Sequence, residues 1–194
     1  MYYTSKELVE RVKQLSDYKR LPENYWIIGV RNPEDAPNQF DDMFYLMLGE
    51  EIVLSTTGTT NPGTPILKRG YLRYNKDGAA VVESDRIYYN VWKYGLHRGK
   101  MPALKQLGNS ITIYRDGDND EKSEEIGKRT TGYYGINFHA DQYNLNVADK
   151  DSKLINSWSA GCQVCNKVHD YKEIIKLCKA QNTVTYVLLN EFSI

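Results

Sequence analysis

Apolar residues three and four positions apart predict one helix near each end of the chain. The first helix spans residues 4–15 and the second spans residues 170–180. Thr4 and Asp170, each followed three positions later by a glutamate, are predicted to cap the starts of these helices. The buried faces are formed by Leu8, Val12 and Leu15 in the first helix, and by Tyr171, Ile174, Ile175 and Cys178 in the second. This pattern assigns Cys178 to the core rather than to a reactive site.

Between these helices the chain contains short apolar and aromatic runs bounded by turn-forming residues, a pattern typical of β-strands. Gly49 and Glu50 separate two of these runs and predict a hairpin turn. Residues 103–107, just before Gly108, allow at most a short helix. The predicted strands are residues 25–30, 43–48, 51–56, 111–114, 133–138 and 183–189, and residues 87–96 form a further aromatic and apolar run. We expect an α+β fold dominated by mixed and antiparallel sheet, with a helix at the N-terminus and another after Cys162.

Composition and charge predict a single folded domain over residues 1–194. Hydrophobic residues make up 41% of the chain and charged residues 26%, a balance that permits a packed core. The formal net charge is zero, so charge gives no reason to expect binding to nucleic acid or to an anionic membrane. No segment reaches the ~18 apolar residues of a membrane span. Residues 1–7 lack the apolar stretch of a signal peptide, which predicts synthesis in the cytoplasm.

Candidate chemistry is concentrated in residues 132–166. His139 directly follows the predicted strand 133–138, and Cys162 follows a turn of small residues that includes Gly161. Glycine lets the backbone adopt unusual dihedral angles and lets a substrate approach closely. Because a thiol needs a base to become a thiolate near neutral pH, His139 and Cys162 are the candidate general base and nucleophile. Backbone N–H groups near Gly161 and Cys162 are expected to stabilise an oxyanion.

His139 and the segment Ser159-Ala160-Gly161-Cys162 resemble the active-site signature of the L,D-transpeptidase (YkuD-type) catalytic domain. Upstream, residues 59–64 resemble the segment rich in threonine, proline and glycine that precedes that family's catalytic core. The resemblance covers roughly residues 52–190. Family members often have a histidine at the position of Ala160. They commonly have an apolar residue and then Arg or Asn where this chain has Gln163 and Val164.

The resemblance implies an L,D-transpeptidase-like catalytic core over residues 51–194, preceded by a helix and strands over residues 1–50. It also implies cysteine-dependent acyl transfer, with no metal or other cofactor, on L,D bonds of peptidoglycan stem peptides. Water as acceptor would make the protein a peptidase, and an amine would make it a transpeptidase that forms 3–3 cross-links. The absence of a signal peptide favours hydrolysis by a phage protein, made in the cytoplasm and acting on the wall after lysis or as part of a virion.

Four further residues are candidate contacts for the substrate or supports of the site. Ser157 and Ser159 flank Trp158 just before the turn. Ser159 is expected to orient the turn or to bind substrate through its hydroxyl. Trp158 is expected either to form the floor of the groove or to be buried by packing. Asn137 is predicted to share a strand face with His139 and to orient its imidazole.

Two metal sites and a non-catalytic role are the alternatives. Cys162, Cys165 and His169 have spacing compatible with zinc, with His139 or Cys178 as a fourth ligand. A Ca²⁺ site is suggested by Asp116, Asp118 and Asp120, although Glu121 and Gly127 break the EF-hand pattern, which favours an acidic hairpin loop. A structural or wall-binding protein on the same fold, such as a phage tail component with assembly partners, is the main alternative to an enzyme.

Three connections have open interpretations. Residues 56–69 form either a solvated connection or a groove wall beside the cysteine. Residues 97–100 form a basic turn that binds a substrate carboxylate or, as we favour, a solvated loop. The polar loop 140–155 lies between the candidate base and nucleophile, so we expect it to line the site.

Overall fold

A closed sheet of eight strands dominates the structure, a computed structural model that describes residues 2–33, 36–148 and 152–193. The strands are β1 (Tyr25–Arg31), β2 (Asp42–Leu48), β3 (Glu51–Thr59), β4 (Ala79–Val82), β5 (Arg86–His97), β6 (Met101–Gln106), β7 (Ile111–Asp116), β8 (Thr130–Gly132), β9 (Phe138–Ala140), β10 (Gln163–Cys165) and β11 (Val184–Asn190). The α-helices are α1 (Ser5–Lys13), α2 (Thr64–Leu67) and α3 (Val168–Cys178), and a 3₁₀ helix spans Gly70–Arg73.

The closed sheet follows the order β1-β11-β5-β6-β9-β10-β3-β2, and β2 pairs with β1 to complete it. The pairings of β1 with β11 and of β9 with β10 are parallel, and the others are antiparallel. Strands β4, β7 and β8 form a separate antiparallel sheet. The predicted β-rich α+β fold with mixed sheet is therefore confirmed.

Strand β1 has apolar residues on both faces because both faces are covered. Ile27 belongs to the core that includes residues of α3, whereas Trp26 and Ile28 belong to a second core formed with α1. A strand buried on both sides is a continuous apolar run in sequence rather than an alternating one. Thr4 caps α1 through the predicted capping box. Among the described residues, no helix is both long and apolar enough to cross a membrane.

Residues 103–106 belong to strand β6, so the prediction of at most a short helix over residues 103–107 is wrong. Strand β6 pairs with β5 along its whole length, with Leu104 opposite Tyr94. Long-range pairing of this kind determines strand formation more strongly than local propensity does. The paired strand also brings Gln106 to the edge of the candidate site.

The predicted strand 133–138 is likewise wrong over most of its length, because only its last residue lies in a strand, β9. The side chain of Gln106 takes the place of a neighbouring strand here. Its Oε1 accepts hydrogen bonds from the backbone N–H groups of Tyr134 (2.9 Å) and Ile136 (3.1 Å). Gly135 between them has a φ of +72°. Backbone groups paired by a side-chain amide do not form a ladder, so the chain takes an irregular path into His139.

The prediction of a capping pair at Asp170 and Glu173 is also wrong. Helix α3 begins two residues earlier, at Val168, and its N-cap Lys167 makes no side-chain capping hydrogen bond. The predicted apolar face of this helix is buried, including Cys178. Packing of that face, rather than a cap, therefore determines where the helix begins.

Residues 56–69 are not a solvated connection. Strand β3 continues to Thr59, and the next residues are buried. The backbone N–H and the hydroxyl of Thr60 both donate to Oδ2 of Asp42, at 2.6 and 2.8 Å. The backbone N–H of Gly63 donates to the carbonyl of Ser159 at 3.1 Å. This segment therefore supports the turn that leads into Cys162.

Candidate active site

A pocket of about 240 Å³ contains Cys162 and His139 together. Strand β9 supplies His139, and the turn before β10 supplies Cys162. Because β9 and β10 are parallel neighbours, with His139 opposite Val164, the two side chains reach the same end of the sheet. The pocket is lined by Tyr74, Ala80, His97, Arg98, Arg115, Tyr134, Gly135, Ile136, His139, Trp158, Ala160 and Cys162.

The turn before Cys162 is held by its own polar groups. Ser159 Oγ accepts a hydrogen bond from the Gly161 N–H (3.1 Å) and donates one to the Cys162 carbonyl (2.8 Å). Gly161 has a φ of +126°, and a Cβ there would lie 2.4 Å from the carbonyl oxygen of Ala80. Beneath the turn, the buried Gln163 donates to the Gly161 carbonyl at 3.2 Å. These contacts fix the position of the cysteine and require glycine before it.

Only one of the two predicted oxyanion donors, the N–H groups of Gly161 and Cys162, is free of a hydrogen bond in the described chain. The Gly161 N–H is already bonded to Ser159 Oγ, so it is not free to bind an oxyanion. The Cys162 N–H has no hydrogen-bond partner in the described part of the chain. Of the two predicted donors, only the Cys162 N–H is therefore available, and Gly161 shapes the turn.

The Cys162 side chain is half-buried, and its thiol donates to the Gly135 carbonyl at 3.5 Å. Burial raises the pKa of this thiol, against the smaller lowering effect of the Asn137 backbone N–H and the Arg98 charge. The resting group is therefore a neutral thiol at neutral pH. It needs a neighbouring base to become nucleophilic.

His139 meets the requirements for such a base. Its side chain is 1% exposed, and its Nδ1 lies 2.8 Å from the Ala140 carbonyl. A carbonyl only accepts, so Nδ1 carries the proton and Nε2 carries a free lone pair. Nε2 is buried and has no hydrogen-bond partner in the described chain. Burial, with a smaller effect of His97, lowers the pKa of His139 to about 3, so the imidazole is neutral at neutral pH.

A second histidine stacks on the first. The rings of His97 and His139 lie 4.2 Å apart at an angle of 28°. Asn137 Oδ1 accepts from the Gln106 N–H (2.9 Å), which leaves its Nδ2 to donate to Nδ1 of His97 (3.0 Å). His97 therefore carries its proton on Nε2. Burial lowers the pKa of His97 to about 4. Asn137 thus orients His97, and not His139 as the sequence predicts.

The favoured interpretation of residues 97–100 as a solvated loop is wrong for His97, which is 9% exposed and lines the pocket. It ends strand β5, whereas Arg98, Gly99 and Lys100 form the exposed turn that follows. The signal in the sequence was a histidine at the end of a strongly apolar run. Its partner Asn137 is distant in sequence, so the pairing was not visible there.

Trp158 lines the pocket and is half-buried. Its ring lies 5.3 Å from that of Tyr143, which belongs to the predicted loop 140–155. Residues 149–151 of that loop lie outside the described residues. Ser157 is exposed and is not part of the pocket lining, and Ser159 is buried in the turn. Of these three predicted contacts, Trp158 is the one that lines the pocket.

The zinc ligands suggested by the sequence do not converge. Cys165 is buried in the core and donates to the Lys167 carbonyl at 3.4 Å. The side chain of His169 is 84% exposed. Cys178 is buried in α3.

A different trio of potential ligands meets in the pocket. The sulfur of Cys162 and one ring nitrogen each from His97 and His139 lie within 4.8 Å of one another. A histidine bound to a metal through Nε2 donates its Nδ1 proton to an acceptor. The Nδ1 of His97 instead faces the donor Nδ2 of Asn137, and this donor set does not fit a metal ion.

The carboxylates of Asp116, Asp118 and Asp120, at the end of β7 and in the loop that follows, do not come together as one set of Ca²⁺ ligands. Asp116 is 2% exposed, and its Oδ2 accepts from the Glu124 N–H at 2.9 Å. The exposed Asp118 and Asp120 approach Glu124 instead. Asp116 therefore stabilises the loop, which agrees with the favoured interpretation of an acidic hairpin.

Cys162 is expected to gain reactivity steadily with pH. Because the pKa of its thiol is raised and that of His139 is lowered to about 3, both groups are neutral between about pH 5 and pH 8. The rate of alkylation by iodoacetamide should rise about tenfold per pH unit over this range, because only the thiolate reacts. Mass spectrometry of the modified protein at a series of pH values measures this rate.

The variant Cys162→Ala is the control for that series. Cys165 and Cys178 are buried and have pKa values raised to about 12, so the variant should remain unlabelled. A reaction rate that is already high and constant from about pH 5 would contradict the neutral pair. It would indicate a thiolate–imidazolium pair in the resting protein.

The chain was compared with protein-family models, with curated proteins and with solved structures, and no match was found. The resemblance to L,D-transpeptidases therefore stays a prediction from the motif. What the structure adds is the geometry of that motif, in which His139 and Cys162 share one pocket.

Proposed function

We propose that the chain is a cysteine-dependent peptidase or transpeptidase that acts on L,D bonds of peptidoglycan stem peptides, on a fold of the L,D-transpeptidase type. Cys162 is the nucleophile and His139 is the general base. The substrate class comes from the resemblance of the segments around these two residues to that family. The wall location and the phage setting stay predictions.

The observation that carries the proposal is the unpartnered Nε2 of His139. A buried polar atom without a hydrogen bond is costly, and such atoms are rare in folded proteins. Here the atom belongs to an imidazole of fixed tautomer with a ring nitrogen within 4.8 Å of the Cys162 sulfur. A neutral imidazole with a free lone pair beside a half-buried thiol is the arrangement that nucleophilic acyl transfer requires.

The reaction begins when the Cys162 thiol turns from the Gly135 carbonyl towards His139. Its proton passes to Nε2 as the sulfur bonds to the carbonyl carbon of the peptide. The tetrahedral intermediate then expels the amine, which takes the proton from His139, and a thioester remains on Cys162. Water or an acceptor amine attacks the thioester, gives a proton to His139, and releases the acyl group as the proton returns to the sulfur.

Two donors are available for the oxyanion of the tetrahedral intermediate. One is the N–H of Cys162, which has no partner in the described chain. The other is the Nε2–H of His97, whose tautomer is fixed by Asn137. A donor of this kind typically contributes ~3 kcal/mol to stabilisation of the transition state. His97 therefore donates a hydrogen bond to the oxyanion, whereas His139 accepts the proton of the thiol.

The second candidate function is a non-catalytic structural or wall-binding protein on the same fold. The raised pKa of the Cys162 thiol favours it, because a binding protein has no need of a thiolate. The paired tautomers of His97 and His139 favour the enzyme, because both would be needed for proton transfer and for oxyanion binding.

The proposal is tested by incubating purified muropeptides with the wild type and with Cys162→Ala, followed by mass spectrometry. We expect the wild type to remove a terminal D-residue, cut a 3–3 cross-link, or form a cross-linked product. Cys162→Ala should lose at least about 1,000-fold of the rate, because the nucleophile is gone. Its free energy of unfolding should change by less than about 1 kcal/mol, because a half-buried thiol has few packed atoms.

Ser16→Ala is the matched control, because Ser16 is exposed, does not line the pocket and follows helix α1, away from the candidate substrate contacts. It should keep the wild-type rate. Product formation by Cys162→Ala at the wild-type rate would rule out a cysteine nucleophile. Failure of the wild type to alter any muropeptide would favour the structural or wall-binding role.

Asn137→Asp tests the role assigned to the tautomer of His97. The new carboxylate can still accept from Gln106, but it attracts the proton of His97 to Nδ1 and removes the donor at Nε2. We expect a loss of about 10- to 100-fold in kcat near neutral pH. The carboxylate also raises the pKa of His97, so the imidazolium restores the Nε2–H at lower pH. Activity relative to the wild type should therefore recover as the pH falls.

Asn144→Asp introduces the same charge at an exposed position outside the pocket lining. It should keep the wild-type rate and pH profile. An Asn137→Asp variant whose activity falls equally at every pH would contradict the assigned role, because a purely structural defect has no reason to be relieved at low pH.

A further inference from the structure

Two arginines reach the pocket from elements that are separate in sequence. Arg98 lies in the turn between β5 and β6, and Arg115 lies in β7 of the second sheet. Both line the pocket that contains Cys162. In the described chain neither guanidinium forms an ion pair with a carboxylate, and the nearby Asp77 approaches Lys128 at 3.8 Å. Two unneutralised cations therefore face one small cavity.

Arg115 is the more constrained of the two. It is half-buried, and its guanidinium carbon lies 5.1 Å from the ring centroid of Tyr134. Contact with an aromatic face compensates only part of the free energy of hydration that a buried cation loses. Burial accordingly lowers the pKa of Arg115. A bound anion would supply the charge that is missing at this position.

Arg98 is exposed and lies close to aromatic residues. The pKa of its guanidinium is raised by the neighbouring side chains of Tyr74 and Tyr143, against the opposing effect of burial. Tyr74 also lines the pocket, and Tyr143 packs against Trp158. Arg98 therefore lies at the rim of the cavity, next to two tyrosines.

We propose that Arg98 and Arg115 form a subsite for a carboxylate carried by the acyl-donor peptide close to the bond that is cleaved. The proposal depends on acyl transfer at Cys162 and identifies what the donor must carry. The planar fork of a guanidinium matches the two oxygens of a carboxylate, which gives orientation as well as attraction. A donor held in this way presents its carbonyl to the sulfur in one direction.

The test compares two alkylating agents of nearly the same shape, iodoacetate and iodoacetamide. Only iodoacetate carries a carboxylate, so the ratio of its rate to that of iodoacetamide at Cys162 reports the subsite without any turnover. We expect Arg98→Gln and Arg115→Gln each to lower this ratio about threefold to tenfold at 0.15 M salt, where long-range charge effects are screened. Loss of the Arg98 charge also removes a small lowering effect on the pKa of the Cys162 thiol, but this slows both reagents alike and cancels in the ratio.

Arg73→Gln is the matched control, because Arg73 is exposed and does not line the pocket. It removes the same charge and should leave the ratio unchanged. Equal ratios in the wild type and all three variants would overturn the subsite. Acetate should slow iodoacetamide labelling of the wild type, and protection by inorganic phosphate but not by acetate would overturn the assignment to a carboxylate.

Different results would contradict the carboxylate subsite and the catalytic assignment of Cys162. If muropeptides are cleaved but the alkylation ratio does not depend on either arginine, the subsite is wrong and the catalytic assignment stands. If the ratio falls in both arginine variants but no muropeptide is altered, a carboxylate subsite exists beside a cysteine of another function. In donor peptides, the terminal carboxylate and a side-chain carboxylate can each be replaced by an amide. The replacement that raises KM more identifies the carboxylate that the subsite binds.

Discussion

The short hydrogen bond from Nδ1 of His139 to the Ala140 carbonyl, at 2.8 Å, is the interaction on which the candidate site depends. It fixes the tautomer of a buried histidine in β9, the strand parallel to β10, and so determines which nitrogen has the free lone pair. The turn at Gly161 then places Cys162 in the same pocket. Without the fixed tautomer, neither ring nitrogen of His139 would be defined as the acceptor of the thiol proton.

Cys162 and His139 are both neutral in the resting site and do not form a thiolate–imidazolium pair. Burial lowers the pKa values of both histidines, to about 4 for His97 and about 3 for His139, and raises that of the Cys162 thiol. Because the rings of His97 and His139 stack at 4.2 Å, protonation of one imidazole makes protonation of the other less favourable. Proton transfer is therefore expected during attack on the substrate. The positive charge of the pocket comes instead from Arg115, which is half-buried in its lining, and from Arg98 at its rim.

The sequence predicted elements whose signals are local, and missed features that depend on distant pairing. The capping box at Thr4 and the apolar run of β1 are local patterns, and both are confirmed. The prediction of at most a short helix over residues 103–107 is wrong because residues 103–106 pair with β5 as part of strand β6. The sequence offered residues 97–100 as a carboxylate-binding turn, but their position in the pocket of Cys162, like that of Arg115 in β7, depends on pairing between strands distant in sequence. The cysteine and its histidine were visible because glycine and small residues mark the turn.

The most direct test of the central assignment is detection of the thioester itself. Intact-protein mass spectrometry after rapid mixing with a donor muropeptide, followed by peptide mapping, would locate any acyl group. A mass increase equal to the acyl portion of the donor, mapped to Cys162 and absent from Cys162→Ala, is the expected result. Altered muropeptides without any adduct on Cys162, and with the same products from Cys162→Ala, would contradict the account.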